Sequence, residues 1–379
     1  MTTSDPIGAA MERAVADGVF PGAVLLVRLR GELAYRKAVG RRSLVPPGDP
    51  VTLETVYDLA SLTKPLATTS AVLLLVQQGR LDIKSALRDL LPELANAPVG
   101  EATVFHLLTH SAGLPGWRPF YERIAEENTR QPGFLGSPAA RRAVLSYIHD
   151  EALLHPIGSR SLYSDLGFML LGMLVERVSR QPLATFCREH LYEPANAAPL
   201  AFLEIGAKKL ESLSRAGMAL NEVASTEEDS WRGRVVHAEV HDENAYALGG
   251  TGGHAGLFGT AAAVLVMAGA WLNAQRGLPT VFDPAVVRQF VTRQHRIPQS
   301  SWALGWDTPS ASSSSGTKFS ARSFGHLGYT GTSLWVDPVR ELEVVLLSNR
   351  VHPTRRNELI RQFRPQIHDI IYKELIADG

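Results

Sequence analysis

The chain has 379 residues, enough for one large domain or two ordinary ones around a substantial core. Hydrophobic residues make up 45%, charged residues 20%, and the formal net charge is zero, which excludes a basic footprint for nucleic acid and an acidic tail. The single cysteine, Cys187, rules out an internal disulfide and suits a reducing compartment; within Leu183-Ala-Thr-Phe-Cys-Arg-Glu-His190 it reads as a small buried hydrophobe.

The stretch from Met1 to Asp17 lacks a basic n-region and an apolar h-region, and no apolar run reaches membrane-spanning length. The expectation is a soluble cytoplasmic protein. Pro6 to Asp17 reads as an amphipathic helix. Gly22 to Arg30 and Leu33 to Val39 are β-rich runs joined across Gly31-Glu32, a hairpin signal, and Pro46-Pro47-Gly48-Asp49-Pro50 then breaks the pattern. From Ser61 to about Ala274 the pattern is helix and loop: Ser61 to Gln78, a helix ending at Val104 to His110, the buried run Leu166 to Val178, and Ala261 to Leu272 after a glycine-dense segment. Strand signals return at Thr332 to Asp337 and Leu342 to Ser348, joined through Pro338-Val-Arg-Glu341, and Glu358 to Ile376 is helical. The Ser-rich Pro309 to Gly316 reads as an exposed loop.

Strands and a helix therefore occur at both ends with a helical block between them. This predicts an α+β fold: an antiparallel sheet built from residues 1–58 and 300–379, flanked by the terminal helices, with a mostly helical domain inserted at 59–299. The active site is expected at the junction.

Ser61 falls at that junction, where the buried run after Pro65 begins. Proline is tolerated in the first turn of a helix, so Ser61 belongs at the helix start, among free N–H donors and the positive end of the dipole. Lys64 follows one turn on. A hydroxyl, an amine within reach and free N–H groups are the parts of an acyl-transfer nucleophile. The same S-x-x-K spacing recurs in Ser315-Gly-Thr-Lys318, in a Ser-rich run with no apolar helix behind it, so the spacing alone does not decide.

Two later motifs do. Tyr163-Ser-Asp165 stands just before a buried helix, and His326-Leu-Gly328 opens the C-terminal strands. With Ser61-Leu-Thr-Lys64 and the phrases His106-Leu-Leu-Thr-His-Ser-Ala-Gly-Leu-Pro115, Gly256-Leu-Phe-Gly-Thr260 and Leu304-Gly-Trp306, the chain resembles the serine β-lactamase and penicillin-binding protein superfamily. The likeness is to its class C-like, esterase-containing branch, and runs from about Pro6 past Asn349. That family carries S-x-x-K, then Y-x-N, then K-T-G or H-x-G. The resemblance implies a β-lactamase/transpeptidase-like fold and catalysis by Ser61, Lys64 and Tyr163, with the Ser61 and Tyr329 N–H groups as oxyanion hole. It implies Asp165, His326 and Gly328 around the substrate, and no metal or organic cofactor.

The two departures bear on substrate. Asp165 replaces the family's asparagine; it either pairs with Lys64 and keeps it charged, or caps the helix that follows. His326 replaces lysine and is mostly neutral near pH 7, which disfavours anionic β-lactams and D-alanyl peptides; its alternative is a structural histidine. Whether Tyr163 or a neutral Lys64 is the base stays open, since the groups titrate together.

Other candidates are weaker. His106 and His110 have helical zinc spacing but no Glu follows His106, so capping and packing are expected. His237, His241, Asp242, Glu243 and His254 read as a structured loop, with Trp231 and Tyr246 as substrate walls. The Gly249–Gly256 run fits no nucleotide motif, and no G-x-S-x-G elbow occurs. The expected function is a serine hydrolase cleaving a small-molecule ester or amide through an acyl-enzyme on Ser61. The alternatives are β-lactamase, D,D-carboxypeptidase or D-aminopeptidase action at the same site, and a non-catalytic binding or sensor module.

Overall fold

A computed structural model describes residues 5–376. The first residues of the Met1 to Asp17 stretch and the last three of the 300–379 segment lie outside them. The sheet has five antiparallel strands: β1 (Gly22–Leu29), β2 (Glu32–Gly40), β3 (Phe324–Leu327), β4 (Ser333–Asp337) and β5 (Leu342–Ser348), in spatial order β2-β1-β5-β4-β3. Leu25 opposes Leu346 and Val27 opposes Val344, so the two ends of the chain are joined by a ladder of apolar pairs. The first hairpin turns through Arg30 and Gly31, both at positive φ, and Glu32 already belongs to β2. A two-residue turn of this hand matches the twist of the strands it joins.

Alternation in the strands sends side chains to two different cores. Ala23, Leu25, Val27, Val344 and Leu346 pack with α1 (Pro6–Ala16) and the C-terminal helix Ile360–Leu375. Val24, Leu26, Val345 and Leu347 face the other way, into the large core shared with the helical block. In that block α2 (Ser70–Gln77), α3 (Val104–Leu108), α4 (Asp165–Ser179) and α5 (Ala261–Gln275) surround the site; Ile360–Leu375 is α6. The terminal helices thus cover one face of the sheet, while α5 lies against β1, β4 and β5 on the other.

The run after Ser61 is not one uniform helix. A tight turn at Ala60–Leu62 is followed by a wide π-helical stretch, Lys64–Thr69, before regular α2. Pro65 has no N–H, and Ser70 Oγ donates to the Pro65 carbonyl at 2.8 Å while accepting from Trp271 Nε1 at 3.1 Å. A side chain inserted into the ladder widens it, and such bulges recur at functional sites.

The Ser-rich loop departs from its expectation. Ser310 to Ser312 are exposed, but Ser313 and Ser314 turn inward, Ser315 is buried, and Ser314 Oγ accepts from Trp335 Nε1 at 3.0 Å. Serines satisfy one another and the indole here, so polar composition did not mean full exposure. Ser315 bonds Ser313 while Lys318 is exposed, which removes the rival S-x-x-K. Among the described residues no helix is long and apolar enough to cross a membrane.

Because β5 is the central strand, Leu346→Ala should cost about 2–5 kcal/mol in urea denaturation. Leu33→Ala, on the half-exposed strand β2, should stay within about 0.5 kcal/mol.

Candidate active site

Ser61 is presented by a strained turn. Ala60, immediately before it, has φ +47°, a left-handed conformation that costs a residue with a Cβ about 1–3 kcal/mol. Asp58 holds it there: Oδ1 accepts from the Ala60 N–H at 2.8 Å and Oδ2 from the His241 N–H at 2.6 Å. Asp58 is buried, and desolvation raises its carboxyl pKa despite these two donors.

Lys64 is fully buried, and its ammonium has three acceptors for three protons: Asp165 Oδ1 at 2.6 Å, Ser61 Oγ at 3.0 Å and the His254 carbonyl at 3.1 Å. Burial alone would lower its pKa; Asp165 and Tyr163 outweigh burial, and the net direction is upward. Lys64 is a fixed cation in this resting arrangement.

Asp165 is the first residue of α4, but the cap is its neighbour. Ser164 Oγ accepts from the Gly167 N–H at 3.3 Å and donates to the Pro115 carbonyl at 2.6 Å. Capping by Ser164 leaves Asp165 to pair with Lys64, the first of the two expected alternatives. Tyr163 lies over the same ammonium, 4.8 Å from Nζ to the ring centre. Desolvation raises its phenol pKa, Lys64 opposes this, Asp165 adds to it, and the net shift is upward. At rest Lys64 is therefore held as the ammonium and Tyr163 as the phenol.

His326 is on the edge strand β3 with Nδ1 against the Leu327 carbonyl at 2.8 Å. Burial, then the Lys64 ammonium, push its pKa down to about 3, so the ring is neutral. Gly328 is required by close approach: a Cβ there would lie 2.6 Å from the Leu59 carbonyl and 1.9 Å from Thr332 Oγ1. The turn it starts is bolted to the Ser61 turn by Thr330 Oγ1, which donates to the Asp58 carbonyl at 2.7 Å, and Thr332 Oγ1, which donates to the Leu59 carbonyl at 3.0 Å. Tyr329 is thereby held beside Ser61.

Two compartments meet at Ser61, Tyr163 and Tyr329. One, of about 470 Å³, is lined by Trp302, His326 and residues of α6; the other, of about 370 Å³, by Trp117, Asp242 and His254. Trp231 and Tyr246, expected as walls, instead pack edge to face on each other at 5.8 Å, with Tyr121 against Trp231 at 4.7 Å. An aromatic self-cluster satisfied them away from the cleft.

The histidine-rich loop is split among separate partners. His237 contacts the Val223 carbonyl, His241 contacts Glu227 at 2.9 Å, His254 contacts Asp242 at 2.8 Å, and Glu243 pairs with Arg355 at 2.6 Å. Among the described residues no group of three or more His, Cys, Asp or Glu side chains is placed to hold a metal ion. The glycine run serves close packing. A Cβ on Gly253 would lie 2.0 Å from the Phe168 carbonyl, so only glycine lets this backbone reach α4 and put the His254 carbonyl on Lys64. His106 completes a capping box with Thr103, whereas His110 turns into the site. Its Nδ1 accepts from the Ser164 N–H at 3.1 Å, and its ring packs on Tyr163 at 4.6 Å and Trp302 at 4.4 Å.

Sequence reasoning missed Asp58, the Ala60 conformation, Trp302 and the placement of His110. Only Asp58 carried a local signal, as an acceptor two residues before a strained turn.

A buried lysine paired across a serine with an aspartate, at the junction of an antiparallel sheet and a helical block, defines a serine hydrolase of the S-x-x-K type. A family model described as Beta-lactamase matches residues 7–367, and the chain belongs to this family. It is 31% identical over 365 residues to the N-acetylmuramyl-L-alanine amidase of Bacillus subtilis (strain 168), covering 90% of this chain and 80% of that one. It is also 31% identical over 361 residues to an Escherichia coli (strain K12) protein described, provisionally, as a D-alanyl-D-alanine carboxypeptidase, covering 88% and 79%. The solved structure of EstCE1, a hydrolase with promiscuous acyltransferase activity, superposes with a TM-score of 0.70 at 20% identity, covering 95% of this chain and 97% of that chain, which speaks to the fold.

The depressed His326 pKa makes a stability prediction. Unfolded, the imidazole binds a proton near its ordinary 6.5; folded, it does so only near 3. Between these values the unfolded state holds the extra proton, so stability is full above about pH 6.5 and is lost as pH falls toward 3. His326→Gln should flatten urea-measured stability against pH by up to about 1.4 kcal/mol per pH unit in this window.

Proposed function

We propose that this serine hydrolase cleaves a small ester or amide through an acyl-enzyme on Ser61. The observation that carries the reading is the buried Lys64 ammonium, shared between Ser61 Oγ and Asp165. As Ser61 Oγ attacks the carbonyl carbon, its proton passes to the Tyr163 oxygen while the phenol's own proton passes to the leaving alkoxide or amine. The relay needs no standing phenolate, in keeping with the raised Tyr163 pKa, and the Lys64 charge favours the phenolate-like transition state. The Ser61 and Tyr329 N–H groups receive the oxyanion, and water returns along the same path to release the acid.

Neutral substrates are favoured. His326, standing where the family's lysine would carry a charge, is neutral. This weighs against β-lactamase and D,D-carboxypeptidase action, both of which handle an anionic group. The amide arm gains support from the Bacillus subtilis relative, whose name places it on an N-acetylmuramyl-L-alanine amide.

A panel of p-nitrophenyl acetate and butyrate, N-acetylmuramyl-L-alanine methylamide (its carboxyl blocked, so neutral), a D-alanyl-D-alanine peptide and a chromogenic cephalosporin tests this. Wild type should turn over the short esters or the muramyl amide at least about tenfold faster than the two anionic D-substrates, a difference of about 1.4 kcal/mol. Ser61→Ala should abolish both turnover and fluorophosphonate labelling; Ser61-independent turnover in folded protein would refute the acyl-enzyme.

Asp165→Asn removes the main force holding the Lys64 pKa up. Above the Lys64 pKa the fixed cation is lost, so the alkaline limb of kcat/KM should move to lower pH in the variant. An unmoved limb would show that Lys64 charge does not govern the rate.

A further inference from the structure

The turn between β3 and β4 carries an arrangement that the acyl-transfer scheme has not used. In the peptide group joining Gly328 to Tyr329, the carbonyl belongs to Gly328 and the N–H to Tyr329; in a trans peptide the two point in opposite directions. Arg364, on α6, donates from Nη2 to the Gly328 carbonyl at 2.9 Å and to the Thr332 carbonyl at 2.7 Å. Holding the carbonyl toward α6 points the N–H the opposite way within the peptide plane, away from α6. Arg350 secures the next peptide, with Nε donating to the Tyr329 carbonyl at 2.8 Å and the guanidinium 4.4 Å from the Tyr329 ring centre.

These are unusual partners for buried cations. Arg364 is 5% exposed and Arg350 6%, and among the described residues neither forms an ion pair with a carboxylate. Arg364 Nε has no hydrogen-bond partner, and both side chains line the larger compartment. Desolvation, then repulsion from Arg350 and Arg361, depress Arg364 to about 9, well below an ordinary guanidinium. Uncompensated positive charge buried beside a nucleophile is costly at rest and is relieved when negative charge develops nearby. A cationic donor on a peptide carbonyl also polarises the amide, which makes the N–H of the same peptide a stronger donor.

We propose that Arg364 is a positioning residue for acyl transfer: its two-carbonyl clamp on Gly328 and Thr332 orients and polarises the Tyr329 N–H toward the tetrahedral oxyanion. The proposal rests on the reading of Tyr329 N–H as an oxyanion donor. Its action is on the transition state, through a peptide plane, and it requires no contact between the guanidinium and substrate.

The test compares wild type, Arg364→Met, Arg364→Lys and Tyr329→Pro, the last of which deletes the N–H. Circular dichroism establishes folding. The readouts are kcat and KM on p-nitrophenyl butyrate and the inhibition constant of phenylboronic acid, whose serine adduct is tetrahedral and anionic. In Arg364→Met, kcat should fall about 10²–10³-fold, the size of losing one oxyanion donor, with KM changed less than about threefold. Boronate affinity should weaken in step with kcat/KM, and added methylguanidinium should restore part of the rate. Arg364→Lys, which keeps the charge on a shorter side chain without the guanidinium plane, should fall between; if Arg364→Met does not fold, Arg364→Lys decides by the same kcat and boronate criteria. A folded Arg364 variant with kcat near wild type, or one whose loss lies in KM with boronate affinity intact, overturns the proposal. If Tyr329→Pro loses boronate affinity while the Arg364 variants keep it, the clamp alone is wrong. If folded Tyr329→Pro keeps boronate affinity, the oxyanion reading itself is wrong, and the clamp with it.

Discussion

A fully buried lysine ammonium is the constraint from which the site follows. A charge removed from water is tolerated only where its hydrogen-bonding protons find acceptors and an opposite charge stands close. Lys64 meets both conditions with groups from three separated parts of the chain: the Ser61 turn, the first residue of α4 and the glycine run ahead of α5. Satisfying one ammonium therefore draws the elements of the site together. It also bears on the proton inventory, because the aspartate that compensates the charge holds the lysine protonated.

A second constraint is steric and concerns the frame around Ser61. The left-handed Ala60 is held by Asp58, and the carbonyls of Asp58 and Leu59 are in turn tied to Thr330 and Thr332. The Ser61 turn and the β3–β4 turn are consequently tied together, though some 270 residues separate them in sequence. Gly328 is glycine because the two backbones approach too closely for a side chain. Strain at Ala60 and bare cations at Arg350 and Arg364 are local costs borne by a well-packed surrounding, which is where functional sites commonly carry them.

The fold was legible wherever periodicity and turn chemistry agreed. β-rich runs bounded by turn residues located β1, β2, β4 and β5, and a continuous apolar stretch located α4. Legibility failed where local pattern met a tertiary partner. The run after Ser61 reads as a plain helix because nothing local announces that Ser70 enters the ladder and is held there by Trp271, 201 residues away. The Ser-rich segment reads as exposed because its satisfaction by Trp335 is non-local. Trp231 and Tyr246 read as walls because aromatics near a loop carry no mark of which neighbour they choose.

By itself the sequence determined the motifs and their order, the sheet built from both ends of the chain, and which residue types are available for acyl transfer. These depend on local periodicity and on side-chain chemistry, which travel with the residue. Only the tertiary structure decided what each group is doing. It showed that Ser164 caps α4 so that Asp165 is left for Lys64, that His110 enters the site while His106 does not, and that His326 is uncharged. Protonation states, strain and orientation are set by burial and by partners hundreds of residues apart, and neither is written in any local stretch.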